Sequence, residues 1–307
     1  MLDPLQRYRA CLLGLAAGDA LGAAVESQTP GNFTPINDMV GGGLYNLKPG
    51  QWTDDTSMAL CLAESLIEFR GFDPVDQLIR YTRWWREGYL SSTGECFDIG
   101  NTVRTALLTF DHERLPWCGP TEPTSAGNGA LMRLAPVPLY YAADPAAAME
   151  RAGESSRTTH GAQTSIDACR YFAGLLIGAT RGYAKDVLLG DHFTPAEGYW
   201  QERPLCPEID AIAGGSFKQK QPPEIKGTGY VAQSLEAALW AFYHSTDFKD
   251  GALLAVNLGE DADTTGAVYG QIAGAHYGER AIPILWRHRL SHRYLIEAYA
   301  TKLFELS

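Results

Sequence analysis

Two short acidic stretches carry the chemistry of this chain. In "GQWTDDTSMAL", residues 50–60, Asp54 and Asp55 stand side by side between Thr53 and Thr56, where an apolar helical pattern begins. In "GEDADTTGAVYGQIAG", residues 259–274, Asp261, Asp263 and Thr264 repeat that arrangement ahead of a second helical run. Either stretch alone reads as helix capping, because Thr and Asp oxygens accept the first free N–H groups and acidic side chains suit the positive end of the helix dipole. If both face one cavity together with Glu26, five carboxylates converge. Like charges in a shared dry site cannot all stay ionised. Two divalent cations would cancel four of the five charges. An all-oxygen donor set favours Mg²⁺ or Mn²⁺, with Ca²⁺ as an alternative, over zinc, which prefers His and Cys.

Positioning these groups falls to helices. "TSMALCLAESLIEF" carries Met58, Leu62 and Leu66 at four-residue spacing. "VDQLIRYTRWWREGYL", "GAQTSIDACRYFAGLLIGATRGY", "VAQSLEAALWAFYHS" and "SHRYLIEAYATKLFEL" show similar patterning. Strand-like alternation is scarce, so the expected class is all-α. Gly14, Gly18 and Gly22 recur every four residues, as do Gly266, Gly270, Gly274 and Gly278. Gly costs about 1 kcal/mol against Ala inside a helix. Repeated on one face, it predicts two central helices that receive another backbone at close range. Asp19 and Glu26 lie near the first stripe, and Asp261 and Asp263 at the start of the second. The segments 111–130 and 185–229 are rich in Pro, Gly and charge. We expect a single domain over residues 1–307, with 185–226 as a loop-rich insertion or lid, since a structureless connection of that length is uncommon.

Further turns could hold a ligand. Gly127, Asn128 and Gly129 open the apolar run "ALMRLAPVPL", expected to be helical. Asp98, Gly100 and Asn101 precede another helix, where Asp98 alone would read as a cap. His160 also precedes a helix, and "GTGYVA" places Gly229 and Tyr230 at the entry of one starting near Val231. Two decoys fall away. "DADTTG" begins like a calcium loop, but Ile272 stands where the bidentate Glu is needed. "GTGYVA" mimics a dinucleotide fingerprint, but "KQKQPPEIK" before it is no strand.

The formal net charge of −11 at pH 7 argues against general attraction to nucleic acid or anionic membranes. Six scattered cysteines with no C-x-x-C pair read as reduced thiols of a cytoplasmic protein. Arg7 and Arg9 ahead of "ACLLGLAAG" imitate a signal peptide, but Asp19 interrupts the run, and a mature helix is expected. No stretch approaches the ~20 apolar residues of a membrane span.

Taken together, "GLAAGDALGAAVE", "GQWTDDT", "CFDIGNTVRTAL", "GNGALMRLAPV", "THGAQ", "GTGYV" and "GEDADTTGAVYGQIAGAHYG" make the chain resemble the ADP-ribosylglycohydrolases. The motifs occur in that family's order and run from residue 14 to 278. The resemblance implies an orthogonal, compact helical bundle with a dinuclear Mg²⁺ or Mn²⁺ centre in a central cleft. By position it implies Thr53, Asp54, Asp55, Asp261, Asp263 and Thr264 as metal ligands, with Asp55 also among the catalytic groups. Glu26 would lie beside the metals as ligand or acid/base, and Asp98 would act on the substrate ribose, flanked by Gly100 and Asn101. Gly127, Asn128, Gly129 and His160 would hold diphosphate and ribose, and Gly229 and Tyr230 the adenosine end. The implied reaction is metal-dependent hydrolysis at C1″ of ADP-ribose attached to a protein side chain, with ADP-ribose as product. "CFDIGN" resembles the arginine-directed branch, so N-linked ADP-ribosyl-arginine is the expected substrate, and a monomer the expected state. The rivals are a catalytically silent ADP-ribose binder, a hydrolase of another ADP-ribose linkage such as the serine O-linked one, and a nucleotide-diphosphate phosphohydrolase.

Overall fold

The structure, a computed structural model, describes residues 3–307. Among the described residues it holds fifteen α-helices and no strand. In chain order these are α1 (Pro4–Gly22), α2 (Asp54–Phe69), α3 (Pro74–Glu87), α4 (Asn101–Glu113), α5 (Pro136–Tyr140), α6 (Pro145–Arg157), α7 (Gln163–Thr180) and α8 (Lys185–Leu188). They continue with α9 (Tyr199–Glu202), α10 (Pro207–Ala213), α11 (Val231–His244), α12 (Phe248–Val256), α13 (Ala262–Tyr277), α14 (Ile284–Arg289) and α15 (Arg293–Leu306). The all-α expectation holds. No described helix is long and apolar enough to cross a membrane.

Helices α1 and α13 form the axis of the molecule. Nearly every residue of α1 from Ala10 onward is buried, as is every residue of α13 from Ala262 to Ala275. Such helices are apolar or small all round, the mark of an element enclosed on every side. The two glycine stripes face each other. A methyl on Gly14 would overlap the carbonyl oxygen of Gly270, one on Gly18 that of Gly266, and one on Gly274 that of Ala10. Only hydrogen fits at these positions, because backbone packs directly on backbone. Arg7 fixes the other end of α1 by donating to the carbonyls of Ala179, Ala275 and His276, at the C-terminal ends of α7 and α13, where unpaired carbonyls favour a cation.

Around this axis α2, α7, α11, α12 and α15 supply the walls of the core. Asp3, Asp73, Asp144 and Asp247 cap α1, α3, α6 and α12 through their side chains, so these boundaries follow ordinary N-cap chemistry. The region 185–226 contributes short helices and one 3-10 turn, and it is anchored by Trp200, Ile209, Phe217 and Ile225 in the common core. One expectation fails. The run after Gly129 forms turns up to Ala135 instead of a helix, and α5 spans only five residues. Pro136 and Pro138 lack the N–H groups a helix would need. Gln271 of α13 replaces the missing partners. Its amide donates to the carbonyls of Leu131 and Met132 at 3.3 and 2.8 Å and accepts from the Ala135 N–H at 2.9 Å.

Candidate metal centre and substrate cleft

The start of α2 is capped from another helix. Thr53 is its N-cap residue but makes no capping bond with its own side chain. Asp19 of α1 does that work. One carboxylate oxygen accepts from the Thr53 N–H and hydroxyl at 2.8 and 2.9 Å. The other accepts from the Thr56 N–H and hydroxyl at 3.0 and 2.6 Å. With the Thr53 and Thr56 N–H groups taken by Asp19, Asp54 and Asp55 are free of the capping role.

Thr53 is also where the two acidic stretches meet. Its hydroxyl lies 2.9 Å from Asp19, 3.1 Å from Asp55 and 3.1 Å from Asp263, and all four side chains are buried. A hydroxyl has one proton to give. Three carboxylates around it therefore compete for one donor, and the unmatched charge calls for a cation. Two trios of carboxylate oxygens lie within 4.8 Å of one another: Asp19, Asp55 and Asp263, and Glu26, Asp98 and Asp263. They share Asp263. Buried oxygens of Asp55 and Glu26 have no hydrogen-bond partner. Hard oxygen donors, orphaned acceptors and excess negative charge all fit a divalent-cation site. Neither trio includes Asp54 or Asp261. Both, with Thr264, line the adjoining cleft.

The electrostatics agree. Burial, then Asp98 and Asp261, push Glu26 up to about 8. Burial raises Asp19 to about 6 against the lowering effect of its four hydrogen bonds. Asp54, Asp55 and Asp263 are held well above the usual carboxylate range by burial and by their acidic neighbours. Asp261 is raised by burial, opposed by the amide of Asn128. Without cations this cluster takes up protons.

Beside it lies a cleft of about 240 Å³ whose walls include Asp98, Gly100, Asn101, Gly127, Asn128, Gly129, His160 and Gly229. The chain thus gathers most of the expected binding residues in one place. Tyr230 stands at its edge, where its backbone pairs with Gly127. The Asn128 amide donates to Asp261 at 2.7 Å, so that side chain couples the glycine turn to the acidic centre. A Cβ on Gly129 would strike the His160 ring. His160 is buried, and burial with nearby Arg133 lowers it to about 3, so it acts as a neutral hydrogen-bonding group. Asp98 does not cap α4; Gly100 holds that position. Instead Asp98 takes a left-handed backbone (φ 61°), costly for a non-glycine residue, and accepts from the Tyr45 hydroxyl at 2.8 Å. Burial raises it to about 6, with Tyr45 opposing the shift.

Three contributors escape sequence reasoning. Asp19 was visible as an acidic residue beside the glycine stripe, but its hydrogen bonds reach across helices. Tyr45 sits in a segment without periodicity. Arg133 is fully buried and donates to the Gly129 carbonyl and to the Thr158 and Thr159 hydroxyls, bracing the glycine turn against the residues before His160.

The comparisons with known proteins converge. The chain is 39% identical to the ADP-ribosylarginine hydrolase Tri1 of Serratia proteamaculans, covering 99% of this chain and 81% of that one. It is 32% identical to the ADP-ribosyl-[dinitrogen reductase] glycohydrolase of Rhodospirillum rubrum, over 92% of this chain and 90% of that one. A solved structure described as an ADP-ribosylglycohydrolase-related protein complex superposes with a TM-score of 0.86 at 45% identity, covering 99% of both chains. The profile described as ADP-ribosylglycohydrolase matches residues 1–307. With its buried acidic centre, glycine-walled cleft and full-length match, this chain belongs to the ADP-ribosylglycohydrolase family.

Proposed function

We propose that this protein is a divalent-metal-dependent hydrolase that removes ADP-ribose from modified arginine side chains, by attack of water at C1″ of the distal ribose. The observation that carries the reading is the gathering of Asp19, Asp55 and Asp263 around the single Thr53 hydroxyl, beside a cleft walled by glycine turns. ADP-ribose is an anion, and the cluster is acidic. Cations and backbone N–H groups reconcile the two. The relatives named for arginine-directed hydrolysis and for dinitrogen reductase support the substrate class.

Asp55 and Asp263, with Thr53, Asp54, Asp261 and Thr264 around them, would hold two cations, Mg²⁺ or Mn²⁺. When bound, such ions supply charge neutralisation and Lewis-acid polarisation of substrate oxygens. The N–H groups of Gly129 and Gly229 suit the diphosphate, as oriented backbone amides do elsewhere, while those of Gly127 and Asn128 are donated to the carbonyls of Ser125 and Gly229. His160, kept neutral by burial, offers a ring nitrogen to the ribose or phosphate without adding charge. Tyr230 at the cleft edge suits the adenosine end. Guanidine is a strong base and must leave protonated. Glu26, which lies with Asp98 beside Asp263, or Asp98 itself can handle that proton. Asp98, held by Tyr45, faces the same space and is placed to orient the water or a ribose hydroxyl. An oxocarbenium-like transition state gains from these nearby carboxylates, as in glycoside hydrolysis.

The test is ADP-ribose release from matched arginine-linked and serine-linked peptides, with Mg²⁺, with Mn²⁺ and after chelation. Metal-dependent release from the arginine-linked peptide alone is expected. Release that survives chelation, or release from the serine-linked peptide only, overturns the proposal.

A further inference from the structure

A second depression of about 410 Å³ adjoins the cleft and shares Gly229 and Asp261 with it. Its other walls include Glu26, Gln28, Pro30 and Glu260. At Pro30 and Glu260 it opens onto a groove of about 920 Å³ walled in part by Trp240, Leu253 and Pro223. The depression is therefore a corridor from the acidic centre to a broad outer surface. Its charge is one-sided, with three carboxylates and no Lys or Arg among its walls.

Two carboxylate oxygens in this corridor lack partners. Glu26 is 9% exposed, and its Oε2 accepts no hydrogen bond. The Oε2 of Glu260 is likewise buried and unpaired. Glu260 makes no ion pair among the described residues, so its charge has no internal use. Its backbone is clamped: it donates to the Gln28 carbonyl at 2.8 Å and accepts from the Ser27 N–H at 2.7 Å. Glu260 belongs to neither carboxylate trio, which argues against a third compact ion. A guanidinium is different. It is planar, always charged and carries five N–H donors in a fork that can serve two separated carboxylates at once.

We propose that Glu260 is a specificity-determining residue that receives the substrate guanidinium in this corridor, opposite Glu26, while ADP-ribose fills the cleft. The inference rests on the arginine-directed reading above. The outer groove then lets the modified side chain remain attached to its polypeptide. A neutral serine-linked substrate would leave both orphaned oxygens without a partner, so the corridor favours a cationic leaving group by charge and by hydrogen bonding together.

The test compares the wild type with Glu260→Gln, which keeps size and removes charge. Three quantities are measured: KM for an arginine-linked peptide, affinity for free ADP-ribose, and inhibition by agmatine, a guanidine without a carboxylate. Loss of a charge-assisted hydrogen bond is expected to raise KM about tenfold or more. ADP-ribose affinity should stay within about twofold, and saturable agmatine inhibition should be present in the wild type and lost in the variant. A change in KM below about twofold overturns the inference, as does a parallel fall in ADP-ribose affinity, which would mark Glu260 as a structural prop. A wild type uninhibited by agmatine also overturns it. A wild type that releases nothing from the arginine-linked peptide overturns the functional reading and this inference together; activity insensitive to Glu260 overturns the inference alone.

Discussion

Replacing Gly18 with alanine tests whether the helix axis and the metal centre are one device. The added methyl would lie inside the van der Waals envelope of the Gly266 carbonyl, and the atoms it meets are all backbone. No side chain can rotate away. With ordinary carbon–oxygen contacts beginning near 3.4 Å, α1 and α13 must part locally by about 1 Å or more. Alanine gains about 1 kcal/mol of helix propensity over glycine. Overpacking of a rigid core costs typically 1–3 kcal/mol and more where nothing yields. The net expectation is a loss of about 2 kcal/mol, or several degrees in the midpoint of thermal unfolding. The second consequence is at the site. Asp19 is the next residue on α1, and Asp263 lies one turn before Gly266 on α13. Parting the helices by ~1 Å spreads a donor set that needs its oxygens close together, and misplacement of that size can cost about a hundredfold in function. Thermal unfolding and Mn²⁺ titration of Gly18→Ala would be compared with Gly71→Ala, where an added methyl meets only the distant Tyr141 hydroxyl. Gly71→Ala should match the wild type. If Gly18→Ala also matches it in both stability and Mn²⁺ affinity, direct backbone contact between these helices does not position the centre.

Two further predictions follow from the carboxylates. Asp55→Asn keeps volume and removes one buried charge, so in chelator the variant should be more stable than the wild type by about 1 kcal/mol or more, whereas its stabilisation by Mn²⁺ and its turnover should both fall; an Asp55→Asn variant with full metal-dependent turnover would disprove the assignment. The folded-state values of Asp19 and Asp98 (about 6) and Glu26 (about 8) lie above their ordinary values, so the folded protein binds protons the unfolded chain releases. The stability these groups contribute is therefore present below about pH 4 and is lost as pH rises to the folded values of 6 to 8, by roughly 1.4 kcal/mol per pH unit for each group still titrating. Calorimetry in chelator should show this fall, and added Mn²⁺ should raise the unfolding midpoint more at pH 8 than at pH 5. A midpoint that rises between pH 5 and 8 in chelator would contradict it.

Much of this was legible in the chain, for local reasons. Thr53, Asp54, Asp55, Asp261, Asp263 and Thr264 are clustered within a few residues at helix starts, where oxygen-rich patterns stand out. The four-residue glycine stripes announced close helix approach, and the structure sets Gly14 on Gly270 and Gly18 on Gly266, whereas Gly22 meets Ala262 and Gly278 falls past the end of α13. What escaped was long-range. Asp19 joins the expected carboxylates through bonds to Thr53 and Thr56, and Asp98, expected at the substrate ribose, is held in a left-handed turn by Tyr45, which no local pattern marks. The run after Gly129 has helical composition, yet its backbone partners come from Gln271 on α13. No pattern within residues 129–139 could reveal a partner so distant.

The pairing of α1 with α13 also bears on how the chain is made. Gly18 and Gly266 meet although most of the chain separates them, a contact of high sequence separation. As the chain leaves the ribosome, α1 emerges long before its partner α13. During all of that interval the glycine-lined groove and the apolar residues around it have no native neighbour. A nascent chain in that condition is exposed to aggregation and depends on chaperones or provisional contacts for cover. It also means that Asp19 and Asp263 come together only after α13 has been made, so chains that stop short of it lack part of the acidic centre. Truncation anywhere before α13 removes the axis of the molecule along with Asp261 and Asp263 of its acidic site.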